Sequence, residues 1–218
     1  MVEGGMIDKA HHQNWAKKAF EETLELEKAV KMTLKLTNEE ETLVVVTADH
    51  SHSITMSGYP KRGNNILGYV YNKERQLWSN PSAGMYNAWS TISYANGLGF
   101  RDHFTNNSTS PWKDIWDMDY NDDQYRSPAM LPTFDNYETH GGEDVPVLAQ
   151  GPWAHLFVGV HEESYFCQAV EHAAGWGGST KKKQLSNNQA TSLPYNIIVL
   201  TFLACWSCNV IITAISLS

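Results

Sequence analysis

No Asp, Glu, Lys or Arg occurs between Gln184 and Ser218. Within that uncharged stretch, Tyr195 to Leu217 is apolar enough to cross a membrane or to be removed at one. Two readings fit: a tail-anchoring transmembrane helix, or the discarded hydrophobic tail of a GPI signal. The order of small residues, polar spacer and hydrophobic tail favours GPI. Gly177-Gly178-Ser179 or Ser186-Asn187-Asn188 would supply the attachment residue, and a polar stretch follows up to Pro194. A buried core helix is the weaker reading, because ~20 apolar residues at a terminus exceed most soluble helices. Lys181-Lys182-Lys183 then reads as a solvated juxtamembrane charge run.

Other scarcities narrow the class. The 3 cysteines, Cys167, Cys205 and Cys208, form neither a disulfide framework nor a paired zinc knuckle. The 16 basic residues against 24 acidic ones give a net charge of −8, with no basic stripe for a phosphate backbone, so nucleic acid is not an expected partner. MVEGGMIDKAHH has no cationic start, no apolar run of secretory length and no cleavage site. A GPI tail without a leader is the pattern expected when the amino-terminal part of a protein lies outside the sequence in hand.

With 218 residues, one sizeable core and a single domain are expected. Ala16, Ala19, Phe20, Leu24, Leu26, Val30 and Leu34 recur at helical spacing, which predicts one amphipathic helix from Lys9 to about Leu36. Thr42 to Ala48 is a β-branched run that reads as a strand covered on both faces, as in a parallel sheet. Residues 58–136 are rich in Gly, Pro, Asn, Ser and aromatics, and read as an irregular insertion with short strands. A short strand at Val145–Ala149 and a helix at His161–Ala174 follow. Strands alternating with helices imply an α/β fold with a largely parallel sheet flanked by helices.

Ligand-type side chains gather at the edges of these elements: Glu3, Asp8, His11 and His12 near the first helix, Asp49, His50 and His52 after the strand, and His140 before Gly141-Gly142. Asp8 and His12 are four apart, so on a helix both face the same way, near enough to share a metal. Carboxylate with imidazole is a normal zinc ligand set. Taken singly, such a pair is more often a solvated helix end, and a His after a strand is more often a surface residue. Together, a set rich in Asp, Glu and His and poor in Cys suits zinc or magnesium rather than an iron–sulfur cluster. Asn106 and Asn107 head two overlapping glycosylation sequons.

VEGGMIDKAHH, LVVVTADHSHSITMSGYPKRGNNILG and ETHGGEDVPVLAQGPWAHLFVGVHEESYF resemble, in order, three signature segments of the alkaline phosphatase family. The resemblance covers Met1 to about Gly175. It implies part of an alkaline-phosphatase-like sandwich over residues 1–176, with a crown-like insertion at about 60–136, then a linker and attachment region at 177–194 and the tail at 195–218. Carried over residue by residue, it implies Glu3 as a magnesium ligand, Asp8, His12 and His140 as ligands of a first zinc, and Asp49 and His50 as ligands of a second. His11 and His52 fall on motif positions to which it gives supporting roles. Met6 stands where the family commonly has Arg, and Lys9-Ala10 where it has His-Gly; none of these is a ligand position.

The implied activity is that of a zinc- and magnesium-dependent phosphomonoesterase working through a phosphoserine intermediate, in a homodimer held by GPI on the extracellular face of the cell membrane. The nucleophilic serine, the aspartate bridging two ions and the phosphate-clamping arginine belong to a family segment upstream of Met1. An intact homologue is therefore expected to be the enzyme, and this polypeptide alone to be inactive. The rival readings are an inactive, membrane-anchored metal-binding module, and a tail-anchored protein whose soluble part descends from a phosphatase.

Overall fold

The computed structural model describes residues 1–60, 62–70, 90–108, 111–113, 115, 118–133, 135–176 and 211–216. The elements run β1 (Val2–Glu3), α1 (Gly5–His12), α2 (Ala16–Leu36), β2 (Thr42–Thr47), β3 (Ser51–His52), β4 (Ile54–Met56), β5 (Ile92–Asn96), α3 (Gly99–His103), β6 (Ala129–Leu131), β7 (His140–Gly141), β8 (Val147–Gln150), a 3₁₀ turn (Ala154–Phe157), α4 (Glu163–Ala174) and β9 (Ile211–Ser216). They group into two compact units.

One unit takes Met1–Gly4, Leu26–Asp49 and the described residues from Val145 onward. Its sheet has the order β1-β9-β2-β8, and every pairing in it is antiparallel. Leu43 and Val45 on β2 are fully buried and pack with Ala173 and Phe166 of α4 and with Phe157 of the 3₁₀ turn. After β8 the chain passes over the start of β2, where Gly151 is left-handed and a Cβ would fall on the Thr42 carbonyl.

The other unit takes Gly5–Glu25 and His50–Asp144. It holds α1, the first half of α2, the three-stranded sheet β4-β5-β6 and the two-stranded ladder β3-β7. Its core is Ala16, Ile92, Tyr94 and Ala129, with Phe20, Ile54 and Phe100 packed against it.

Two expectations need correction. The sheet around β2 is antiparallel, and β5 with β6 is the one parallel pair among the described strands. A continuous apolar run records burial on both faces, which an interior antiparallel strand shares with a parallel one. The helix predicted from Lys9 to Leu36 is two helices. Asn14 sits between them at φ 57°, a left-handed conformation that asparagine tolerates better than most residues. The fully buried Asn14 side chain donates to the Asn96 carbonyl at 3.2 Å and accepts from the Gly99 N–H at 2.9 Å, and its main-chain carbonyl accepts from Ser127 N–H at 2.8 Å. Three remote residues in two segments thus define the break.

Within α2, Ala16, Ala19 and Leu26 are buried, whereas Leu24 and Leu34 are exposed. The predicted strand at 145–149 lies at Val147–Gln150, and the predicted helix at 161–174 begins at Glu163. Of the predicted tail, Ile211–Ser216 forms β9, between β1 and β2; the attachment region and the rest of the tail lie outside the described residues. No helix among the described residues is long and apolar enough to cross a membrane.

Candidate metal centre

The unit containing α1 and the β3-β7 ladder assembles the histidine cluster. Helical spacing stacks Asp8 and His12 on one face of α1, and His12 Nε2 lies 3.3 Å from Asp8 Oδ1. The ladder sets His52 opposite His140. His140 Nε2 is 3.1 Å from His12 Nε2 and 3.6 Å from Asp8 Oδ1. His50, just ahead of β3, stacks on His140 with ring centroids 3.5 Å apart. Three groups in this cluster are spaced so as to hold an ion: Asp8, His12 and His140; His50, His52 and His140; and His12, His52 and Glu138.

Four of the predicted residues, Asp8, His12, His50 and His140, therefore lie together with His11 and His52. Glu3, exposed on β1, and Asp49, half-buried after β2, belong to the other unit. The sequon asparagines Asn106 and Asn107 are exposed beyond α3.

Two buried carboxylates organise the imidazoles. Asp8 is 5% exposed and Glu138 1%. Burial alone would raise the Asp8 carboxyl, but His52, His12 and His140 around it bring it below its ordinary range. Glu138 is likewise lowered against its burial, by His52 and Ser53. For His52, burial opposes the charged ring, yet the two carboxylates outweigh it and raise its pKa to about 9. His11 goes the other way. Burial, and then His52 stacked at 4.6 Å, lower it to about 4, so it is neutral, sharing a 2.8 Å hydrogen bond with the Tyr94 hydroxyl. Burial, then His50 and His12, also lower His140, which leaves its ring nitrogen available as a ligand at neutral pH.

His52 Nε2 lies 2.9 Å from Asp8 Oδ1, an ion-pair contact, and neither buried atom makes a hydrogen bond beyond it. A buried carboxylate oxygen in that condition, ringed by imidazole nitrogens, is the donor set of a cation site.

Sequence reasoning missed Glu138. Its signal was present: it is a carboxylate two residues before His140. Tyr94 was missed as well, since nothing in residues 92–96 links them to α1.

The alkaline phosphatase family matches residues 1–176. Alkaline phosphatase 4 of Drosophila melanogaster is 40% identical over 185 residues, 81% of this chain and 29% of that protein. The tissue-nonspecific isozyme of Homo sapiens is 38% identical over 82% of this chain and 31% of its own length. Membrane-bound alkaline phosphatase of Bombyx mori is 39% identical over 80% of this chain and 28% of its length. The chain spans about a third of the curated relatives it matches. The family is metal-dependent, and the cluster around Asp8 offers side chains able to hold an ion. With the match running through both segments that build this cluster, the chain belongs to the alkaline phosphatase family.

Proposed function

We propose that this chain carries the zinc-binding part of a phosphomonoesterase, with Asp8, His12 and His140 as the ligands of one zinc ion. The observation that carries the reading is a triangle. Asp8 Oδ1, His12 Nε2 and His140 Nε2 are 3.1, 3.3 and 3.6 Å apart. Ligand atoms ~2.0–2.1 Å from a four-coordinate zinc stand roughly 3.3–3.4 Å from one another. His12 donates its Nδ1–H to the Glu138 carbonyl at 2.6 Å, so its lone pair lies on Nε2, the atom in the triangle. Three protein ligands leave a fourth position open, as at catalytic rather than structural zinc.

The resemblance extends the reading to Asp49 and His50 at a second zinc and Glu3 at magnesium, and to a crown-like insertion at about 60–136. When bound, such ions supply charge stabilisation at the entering and leaving oxygens of a phosphate monoester. What these residues contribute is position: a buried carboxylate on α1 and imidazole nitrogens aimed from two directions. The resemblance assigns the serine that becomes phosphorylated to a family segment that these residues do not match.

We also place the whole protein at a membrane through residues 177–218, with GPI attachment before the tail. The uncharged run from Gln184 and the membrane-bound Bombyx relative support this. On this reading β9 belongs to the chain before processing. Release by phosphatidylinositol-specific phospholipase is expected; retention after treatment argues for a transmembrane tail.

The zinc reading is tested by dialysing the 218-residue chain against zinc, with metal analysis and p-nitrophenyl phosphate hydrolysis at alkaline pH. A tightly held equivalent that is lost in Asp8→Ala, His12→Ala and His140→Ala, with no hydrolysis, is the expected result. Zinc held equally by all three variants overturns the ligand assignment, and turnover by the chain alone overturns the placement of the nucleophile.

A further inference from the structure

Glu138 is a carboxylate with no exit to solvent, and every polar atom it owns is engaged. Oε1 accepts from Ser53 N–H at 2.6 Å and from the Ser53 hydroxyl at 2.7 Å. Oε2 accepts the His52 Nδ1–H at 2.7 Å. Its main-chain carbonyl accepts the His12 Nδ1–H at 2.6 Å, and its N–H donates to the His12 carbonyl at 2.9 Å. One residue is therefore bonded to the side chain and backbone of His12, and to a second ring, His52, whose far nitrogen is 2.9 Å from Asp8 Oδ1.

We propose that Glu138 is a positioning residue for the Asp8–His12–His140 centre, holding Asp8 through His52 and fixing the tautomer of His12 directly. The inference rests on reading those three residues as zinc ligands. A buried ion pair is weak grounds for stability, since apolar side chains of like volume often serve as well. What an apolar residue does not supply is direction. With Nδ1 of His52 committed to Glu138, rotation of that ring is blocked and Nε2 is fixed toward the Asp8 carboxylate. With Nδ1 of His12 committed to the Glu138 carbonyl, Nε2 is the atom left to ligate. Partners of this kind, one bond removed from an ion, commonly change affinity by 10–100-fold when replaced. Glu138 and His140 lie two residues apart on the approach to and start of β7, so the segment that delivers one ligand also carries the brace for the other two.

The test uses the 218-residue chain with Glu138→Gln, which keeps shape and backbone, with His52→Ala, and with both together. Zinc affinity is read by chelator competition, the fold by thermal melting, and the imidazole tautomers by ¹⁵N NMR on the metal-free chain. Either single change is expected to weaken zinc about 10–100-fold. The double variant is expected to be no weaker than the weaker single, because the two act along one path. His12 is expected in the Nδ1–H form in the parent and in Glu138→Gln, since the backbone carbonyl is retained. Native zinc affinity in a folded Glu138→Gln, or losses that multiply in the double variant, overturns the brace. Should Glu138→Gln fail to fold, His52→Ala alone carries the affinity test. A parent that holds no zinc overturns the ligand reading instead, and His12 found as Nε2–H overturns the tautomer lock whether or not zinc binds.

Discussion

Gly141 stands opposite Ser51 in the ladder whose next pair is His140 opposite His52. A Cβ on Gly141 would overlap the Ser51 Oγ, the Glu143 carboxylate and the His52 carbonyl. The two strands close only because hydrogen occupies that space, and that closure brings His140 to His12. Gly141→Ala is therefore expected to spread the ladder, lowering stability by about 1–3 kcal/mol and zinc affinity by about tenfold or more. Its neighbour is the control, for a Cβ on Gly142 meets nothing within 4 Å. Urea titration and chelator competition on both variants check the contrast; equal effects would mean that close approach at Gly141 does not set the site.

Asn14 gives a second prediction, this one on stability. Its side chain joins the end of α1 to the Asn96 carbonyl and the Gly99 N–H, in a backbone conformation that alanine resists. Asn14→Ala is expected to cost about 2–4 kcal/mol, from two broken buried hydrogen bonds plus left-handed strain. Asn14→Gly keeps the conformation but not the bonds, so its loss should be smaller. Chemical denaturation orders the three proteins; alanine matching asparagine would remove the hub role.

How much of this was legible in the sequence depended on range. Asp8 and His12 could be paired because helical spacing is local, and His140 stood out beside two glycines. The break at Asn14 could not be seen, because the residues that define it are Asn96, Gly99 and Ser127. Burial of β2 was readable from its β-branched run, but strand direction is set by partners, here β8 and β9, remote in the chain. Ile211–Ser216 shows the same limit: apolar, β-branched residues suit a strand as well as a membrane, and hydrophobicity alone does not choose. Glu138 escaped because its motif was read through its histidine, although the carboxylate stands only two residues before it.

The third prediction concerns acid. His103 is 2% exposed, and its Nε2–H donates to the Arg126 carbonyl at 2.8 Å. Burial lowers its pKa below 6.5, against the opposing pull of Arg126 and Asp102 and with a small push from Lys113. The unfolded chain therefore takes up this proton first as pH falls. The contribution is fully present above the unfolded value of 6.5 and is lost as pH drops through the interval below it. His103→Gln keeps a donor for Arg126 without titrating there. Its stability should fall less steeply than the parent's between about pH 7.5 and about pH 5.5 in denaturant titrations. Parallel slopes would mean that His103 charges as readily folded as unfolded.

Metal dependence of stability supplies the last. The three ligands of the triangle come from α1 and from β7, and His12 and His140 are 128 positions apart. An unfolded chain does not hold them together, so zinc binds the folded state selectively. Free zinc at 100 times its dissociation constant should then stabilise the chain by about 2.7 kcal/mol, reversibly with a chelator. Magnesium should not substitute, because two of the three donors are imidazole nitrogens and the smaller ion prefers oxygen. His140→Ala should abolish most of the zinc effect while leaving the melting temperature without metal nearly unchanged, since His140 is exposed. The effect should also fade in acid, where protons compete for the imidazoles. Melting curves with zinc, with magnesium and with chelator decide this, and a parent whose melting ignores zinc would show that the triangle does not bind it.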